Sequence, residues 1–244
     1  MTKLVLACGQ SNMRGGAGST GGPAFSGMRN VTVWNNTNEG GANGTAFVSP
    51  PAATSPPWDV SGGNNLAAWF CHRLAFETGE PVKLILVCKG GLPISAWSPT
   101  TPGEQWSEIA AVCTAAAAGP ADIFLWHQGE DDILAGTAEA TYKAAFLALI
   151  AALVSAGYLK SDAQQIVGGL RYPGSDAFLQ NLASENALIE YASDTPYADY
   201  DGTHFTGPGL YQFGYEGYWN AYSRLTGPKI IAGRLAMSPS PVLR

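Results

Sequence analysis

The chain has 244 residues, 46% hydrophobic and only 13% charged, with a formal net charge of −6. That length suits one α/β domain and allows a large core. The 13 basic residues are scattered without a Lys/Arg stripe, so nucleic-acid binding lacks its electrostatic footprint.

Residues 3–8 (KLVLAC) read as a first strand that ends directly in Gly9-Gln10-Ser11-Asn12. Residues 31–34 (VTVW) alternate like a short second strand. Residues 35–63 are rich in Gly, Asn, Ser and Pro and form a long loop, either a lid or wall for a site or passive surface. Leu66, Trp69, Phe70 and Leu74 recur at helical spacing, which predicts a helix over 64–78 stopped by Gly79. Residues 83–88 (KLILVC) are a buried strand, followed by Lys89-Gly90-Gly91. A helix is expected over 104–118, ended by Gly119-Pro120. Residues 122–126 (DIFLW) make a strand that runs into His127-Gln128-Gly129-Glu130. The longest helix is expected over 138–156; its most apolar stretch, 144–156, falls short of the roughly 20 residues a membrane span needs. A strand at 166–170, a helix at 176–192, a loop holding Asp201-Gly202-Thr203-His204 and an aromatic-rich helix at 210–225 complete the core. The tail from 226 reads as irregular.

Strands alternating with helices, several of them continuous apolar runs, predict an α/β fold: a parallel sheet covered on both faces. We expect one domain over 1–244, with its core at about 1–225. No signal peptide is recognisable at this N-terminus, since the apolar run before the polar turn is too short. That leaves the compartment open: cytoplasmic, phage-associated, or secreted with a leader removed. The four cysteines form no CxxC pair and read as buried free thiols.

In a parallel sheet, ligands bind beyond the carboxyl ends of the strands. Four segments with glycine and reactive side chains lie at such ends or just before the last helix. Their chemistry fits acyl transfer. A serine hydroxyl is a weak nucleophile and needs a base within reach, which His204 can supply. Asp201, three residues earlier, can orient the imidazole. Oxyanion donors are available in the backbone N–H of Ser11, an N–H at Gly90 or Gly91, and the side-chain amide of Gln128. Each has a plainer reading: Ser11 as a helix N-cap and Asp201–His204 as a simple turn. His127 with Glu130 and Asp131 could hold a metal, but no cluster completes a ligand set, and a buried, hydrogen-bonded histidine is the simpler reading. His72 reads as structural or exposed. Trp58, Trp97 and Trp106 either line a sugar cleft or pack in the core.

In order, "GQSNM", "KGG" with Trp97 downstream, "WHQGEDD" and "DGTHFT" resemble the four signature blocks of the SGNH hydrolase superfamily. The sialate O-acetylesterase-like branch shared with carbohydrate esterase family 6 is the nearest match. The resemblance implies a three-layer α/β/α sandwich with a short central parallel sheet, flavodoxin-like, and a serine esterase that removes O-acetyl groups from a carbohydrate. Ser11 would be the nucleophile, His204 the base and Asp201 the orienting carboxylate. Ser11, Gly91 and Gln128 would form the oxyanion hole, with Gly90 the alternative to Gly91. Glu130 is a reserve for Asp201, and Asn12 belongs to the turn that fixes Ser11. Gln10, Asn12, Arg14, Gly90, Trp97 and Glu130 are candidates for support or substrate contact. No metal or cofactor is implied, and the expected partner is an acetylated carbohydrate, without nucleic acid or membrane. The chain departs from the family at Arg14, which either binds an acidic sugar or faces solvent, and at Leu92-Pro93-Ile94, where the family often has a small hydroxyl residue. The rival readings are a lipase or thioesterase of the same superfamily, and a non-catalytic carbohydrate-binding or phage structural component that keeps the fold.

Overall fold

A computed structural model describes residues 1–15, 21–23, 28–35, 44–50, 64–100, 103–171 and 176–227. Most of the 35–63 loop, Trp58 within it, and nearly all of the 226–244 tail lie outside the described residues.

Seven strands form one sheet in the order β3-β2-β4-β1-β5-β6-β7. They are β1 (Lys3–Gly9), β2 (Val31–Trp34), β3 (Phe47–Val48), β4 (Val82–Cys88), β5 (Ala121–His127), β6 (Leu159–Gly168) and β7 (Ile189–Ala192). All neighbours pair in parallel except β3, a two-residue edge strand antiparallel to β2. The α/β reading holds, and the expected parallel sheet gains one antiparallel edge.

Alternation along β1 splits the core into two layers. Val5 and Ala7 face a cluster built with α2 (Leu66–Thr78) and the C-terminal helices. Leu4, Leu6 and Cys8 face the opposite cluster, built with α3 (Glu104–Ala116), α5 (Glu139–Ser155) and α6 (Ala177–Ser184). In α5, Tyr142, Phe146, Leu149 and Leu153 are buried at helical spacing. The short α1 (Ser11–Arg14) and α4 (Glu130–Ala135) start directly after β1 and β5. The chain ends in a continuous helical run, α7 (Gly207–Gln212), a wider π-type turn over Phe213–Tyr218, and α8 (Trp219–Thr226).

Three boundaries differ from the sequence reading. The helix expected over 176–192 is α6 plus a strand. Its chain turns after Ser184, where Asn186 Nδ2 donates to the Leu182 carbonyl at 2.7 Å, and Ile189–Ala192 then joins the sheet beside β6. β6 begins at Leu159 rather than 166, because its exposed Lys160-Ser161-Asp162 hides the strand pattern. The last helix begins at Gly207, where the Thr206 side chain accepts from the Gly209 N–H and Pro208 suits the first turn.

Between β1 and its neighbours the chain changes direction. β4 lies on one side of β1 and β5 on the other, so the sheet's switch point is at the carboxyl end of β1. Ser11 stands there.

Candidate active site

The turn carrying Ser11 is fixed by two glycines. Gly9 has φ +150° and packs so tightly on β5 that a Cβ would strike the His127 carbonyl. Gly15 closes α1 at φ +88°, its N–H bonding the Ser11 carbonyl at 2.8 Å, and a Cβ there would strike the Asn64 carbonyl. Only glycine combines these backbone angles with such close approach. Between them Gln10 is buried, and its N–H bonds the His127 carbonyl at 2.9 Å.

Residues 193 positions apart meet at this turn. Ser11 Oγ lies 2.9 Å from Nε2 of His204, and Nδ1 of the same ring lies 2.9 Å from Oδ2 of Asp201. A carboxylate only accepts, so Nδ1 carries the hydrogen and Nε2 faces the serine hydroxyl as an acceptor. The other Asp201 oxygen accepts from the N–H groups of Thr203 (3.0 Å) and His204 (2.7 Å), closing a local turn. Partial burial alone would raise the Asp201 carboxyl, but the hydrogen bonds from His204 and Thr203 outweigh it and hold it below its usual range. His204 and Asp201 remain partly exposed, so the cluster is open to solvent.

Asn12 is buried and bridges three segments. Its Nδ2 donates to Glu130 Oε1 (3.1 Å) and to the Thr203 carbonyl (2.9 Å), and its Oδ1 accepts from the Phe205 N–H (3.0 Å). Glu130 is 2% exposed and lies 3.4 Å from Nε2 of the fully buried His127. Burial would raise the Glu130 carboxyl; the His127 imidazole and the Asn12 amide more than offset it, leaving it below its usual range. Glu130 therefore touches Asn12 and His127, while Asp201 occupies Nδ1 of His204.

Among the expected oxyanion donors, the Ser11 N–H opens α1 and has no partner within the helix. The block-two turn meets Ser11 at Gly90, where a Cβ would stand 3.8 Å from that of Ser11; Gly91 has φ +68° and open space on that side. Gln128, expected as a third donor, has its amide engaged elsewhere. Its side chain is fully buried and both Nε2 hydrogens are taken, by the Leu92 carbonyl (3.0 Å) and by Asp132 Oδ2 (2.6 Å). In this geometry it ties block two to block three rather than offering a donor to an oxyanion.

Of the two readings for Trp97, the packing one fits: it is 1% exposed and packs edge-on against Trp126, with ring centroids 5.0 Å apart. Arg14 ends α1 and is partly buried, and Trp106 is half-buried. His72 packs against Trp69 and Tyr215. Among the described residues no group of three His, Cys, Asp or Glu side chains could hold a metal ion, and no helix is long and apolar enough to cross a membrane.

Two supporting carboxylates were not singled out from sequence. Asp132 is buried and its Oδ2 accepts from the Ile94 N–H (2.8 Å) as well as from Gln128, fixing the block-two loop. Asp199 accepts from the Gly202 N–H (3.2 Å) and from Arg171 Nε (2.9 Å), which moors the Asp201–His204 loop to the end of β6. The only sequence signal for Asp132 was its place in "EDD", the run that follows the end of β5 at His127.

A mostly parallel sheet between helical layers, with a serine and a histidine meeting beyond its central strand, has the fold of the SGNH hydrolases. The family model described as a carbohydrate esterase, sialic acid-specific acetylesterase, matches residues 1–217, and the chain belongs to that family. No curated protein matches the chain. Among solved structures it is similar to a protein from Arabidopsis thaliana, with TM-score 0.71 and 16% identity over 91% of this chain and 98% of that one. It is also similar to a carbohydrate acetylesterase from Xanthomonas citri, with TM-score 0.65 and 18% identity over 94% of this chain and 58% of that one. A third similar structure is NanS, with TM-score 0.62 and 13% identity over 92% and 97% of the two chains. At these identities the structures speak for the fold.

Proposed function

We propose that the chain is a serine esterase that removes O-acetyl groups from a carbohydrate. The observation that carries this reading is the unbroken hydrogen-bonded chain Ser11–His204–Asp201, with two contacts of 2.9 Å. Ser11 Oγ attacks the acetyl carbonyl as His204 Nε2 takes its proton, and Asp201 stabilises the imidazolium. The developing oxyanion is met by the Ser11 N–H and an N–H at Gly90 or Gly91. His204 returns the proton to the departing sugar alkoxide. Water, deprotonated by the same nitrogen, then attacks the acetyl-enzyme, and acetate leaves as His204 returns that proton to Ser11 Oγ.

Two features favour a short acyl group on a large polar molecule. The family is one of carbohydrate esterases. The reacting pair is also partly open to solvent, which suits an ester carried on a bulky polar scaffold. The test is hydrolysis of p-nitrophenyl acetate, then of acetylated sialic acids and acetylated xylan, by the wild type and Ser11→Ala. The wild type turns over, a fluorophosphonate labels it, and Ser11→Ala does neither. A strong preference for long acyl chains would defeat the sugar-acetyl reading, and failure of Ser11 to label would defeat the esterase reading.

A further inference from the structure

Asn12 controls both reacting partners at once. It is the chain neighbour of Ser11, and its amide clamps the residues on either side of His204, donating to the Thr203 carbonyl and accepting from the Phe205 N–H. The loop it clamps is partly exposed, so the clamp is only as firm as its own anchor. That anchor is Glu130. The carboxylate is 2% exposed and starts α4 immediately behind the end of β5. Behind it stands His127, 0% exposed, whose Nδ1 lies 3.3 Å from the Tyr218 hydroxyl; that hydroxyl donates to the Trp126 carbonyl at 2.9 Å. The anchor therefore reaches through β5 into the last helical run.

We propose that Glu130 is a positioning residue, whose buried carboxylate locks the Asn12 amide in the orientation that clamps both flanks of His204 and so sets the approach of His204 to Ser11. This rests on the serine-esterase reading above. The chemistry is one of polarity. A carboxylate offers acceptors only, so Nδ2 of Asn12 must face it. That leaves the second Nδ2 hydrogen for Thr203 and Oδ1 for Phe205. A flipped amide would set Oδ1 against the Glu130 carboxylate and the Thr203 carbonyl, and set Nδ2 against an N–H. Each such buried mismatch is costly.

The polarity can be reversed by design. Asn12→Asp sets two carboxylates face to face and strips the Thr203 carbonyl of its donor. Adding Glu130→Gln restores a donor–acceptor pair, with the glutamine amide giving and the aspartate receiving. We expect Asn12→Asp to lower kcat for p-nitrophenyl acetate about 100-fold, as about 1 Å of misplacement does, with KM within about twofold. The double variant recovers about tenfold or more of that loss. If the double variant is as slow as the product of the two single effects, or if the effect lies in KM alone, the proposal is overturned.

Should Asn12→Asp fail to fold, as read by thermal denaturation, the comparison is Glu130→Gln against Glu130→Ala in the wild-type background. Glu130→Gln keeps an acceptor for Asn12 and about a tenth or more of kcat; Glu130→Ala keeps at most about a hundredth. Equal kcat in these two variants overturns the proposal. If the wild type neither hydrolyses the ester nor labels at Ser11, the esterase reading fails; if it does both and the rescue is absent, only the positioning role fails.

Discussion

At the residue scale, Gln128 exchanges one role for another. Removing an oxyanion donor lowers turnover and leaves folding alone, whereas removing a buried tie lowers both turnover and stability. Gln128→Ala strips Asp132 Oδ2 and the Leu92 carbonyl of a shared donor inside the protein. A buried acceptor left unmatched costs about 1–3 kcal/mol. We expect a lower melting temperature together with a lower kcat, measured by thermal denaturation and ester hydrolysis on the same preparation. A fall in kcat at unchanged stability would return Gln128 to the oxyanion. That Ser11, Asp201 and His204 come together was legible in sequence, because each sits in a short polar run where a strand ends or a helix is about to begin. The buried hydrogen bonds of Gln128 were not legible. Its partners, the Leu92 carbonyl and Asp132, are a backbone atom 36 positions away and a carboxylate one helical turn on, and only the fold brings the first of them close. Trp97 stayed open between cleft and core for a related reason: its packing partner is Trp126, which sequence spacing does not connect to it.

At the element scale, the loop bearing Asp201 and His204 is held from both ends. Asn12 clamps it on the inside, and Arg171, from the end of β6, pairs with Asp199 at 2.9 Å and with Asp194 at 3.4 Å. The Asp199↔Phe205 bridge closes the loop's neck. The ion pair is partly exposed, so it contributes at most about 1 kcal/mol to stability, but it bears directly on where His204 stands. Arg171→Gln is expected to change the melting temperature by only a few degrees. It should lower kcat several-fold, and added salt should lower the wild-type kcat toward the variant's while barely affecting the variant. Equal salt responses in the two proteins would show that the pair does not matter to the loop. Long apolar strands and long helices were read correctly, because their buried stripes extend over many residues. β3 and β7 were not. β3 has only two residues, and β7 follows α6 with neither Gly nor Pro between them, the helix end being closed by side chains, Ser184 Oγ on the Asn181 carbonyl and Asn186 Nδ2 on the Leu182 carbonyl. β6 was cut short because the first half of the strand carries Lys160 and Asp162 outward, where Lys160 pairs with Asp122 at 2.5 Å.

At the scale of the whole molecule, the alternation of strands and helices was enough to bring the candidate residues to one rim, since a parallel sheet gathers its loops there. The same scale governs the response to acid. Asp122, Glu130 and Asp201 each feel burial pushing them up, yet donors from Lys160, from His127 and from His204 respectively leave all three below the usual range. Asp131 runs the other way, raised by burial and by the neighbouring Glu130. A carboxyl depressed on folding binds its proton more readily in the unfolded chain. Its stabilisation is complete above the ordinary carboxylate range near pH 4 and disappears as the pH falls through the still lower folded value. The melting temperature should therefore fall between about pH 5 and pH 3. Glu130→Gln, already uncharged, should show a shallower fall over that interval in a series of thermal denaturations. The separation of Ser11 from His204, 193 positions, has one more consequence. Ser11 is made 193 positions ahead of His204, with β2 to β7 between them. Under the proposed mechanism turnover needs those strands in place, and during refolding it should return with the last structural phase and not with the first.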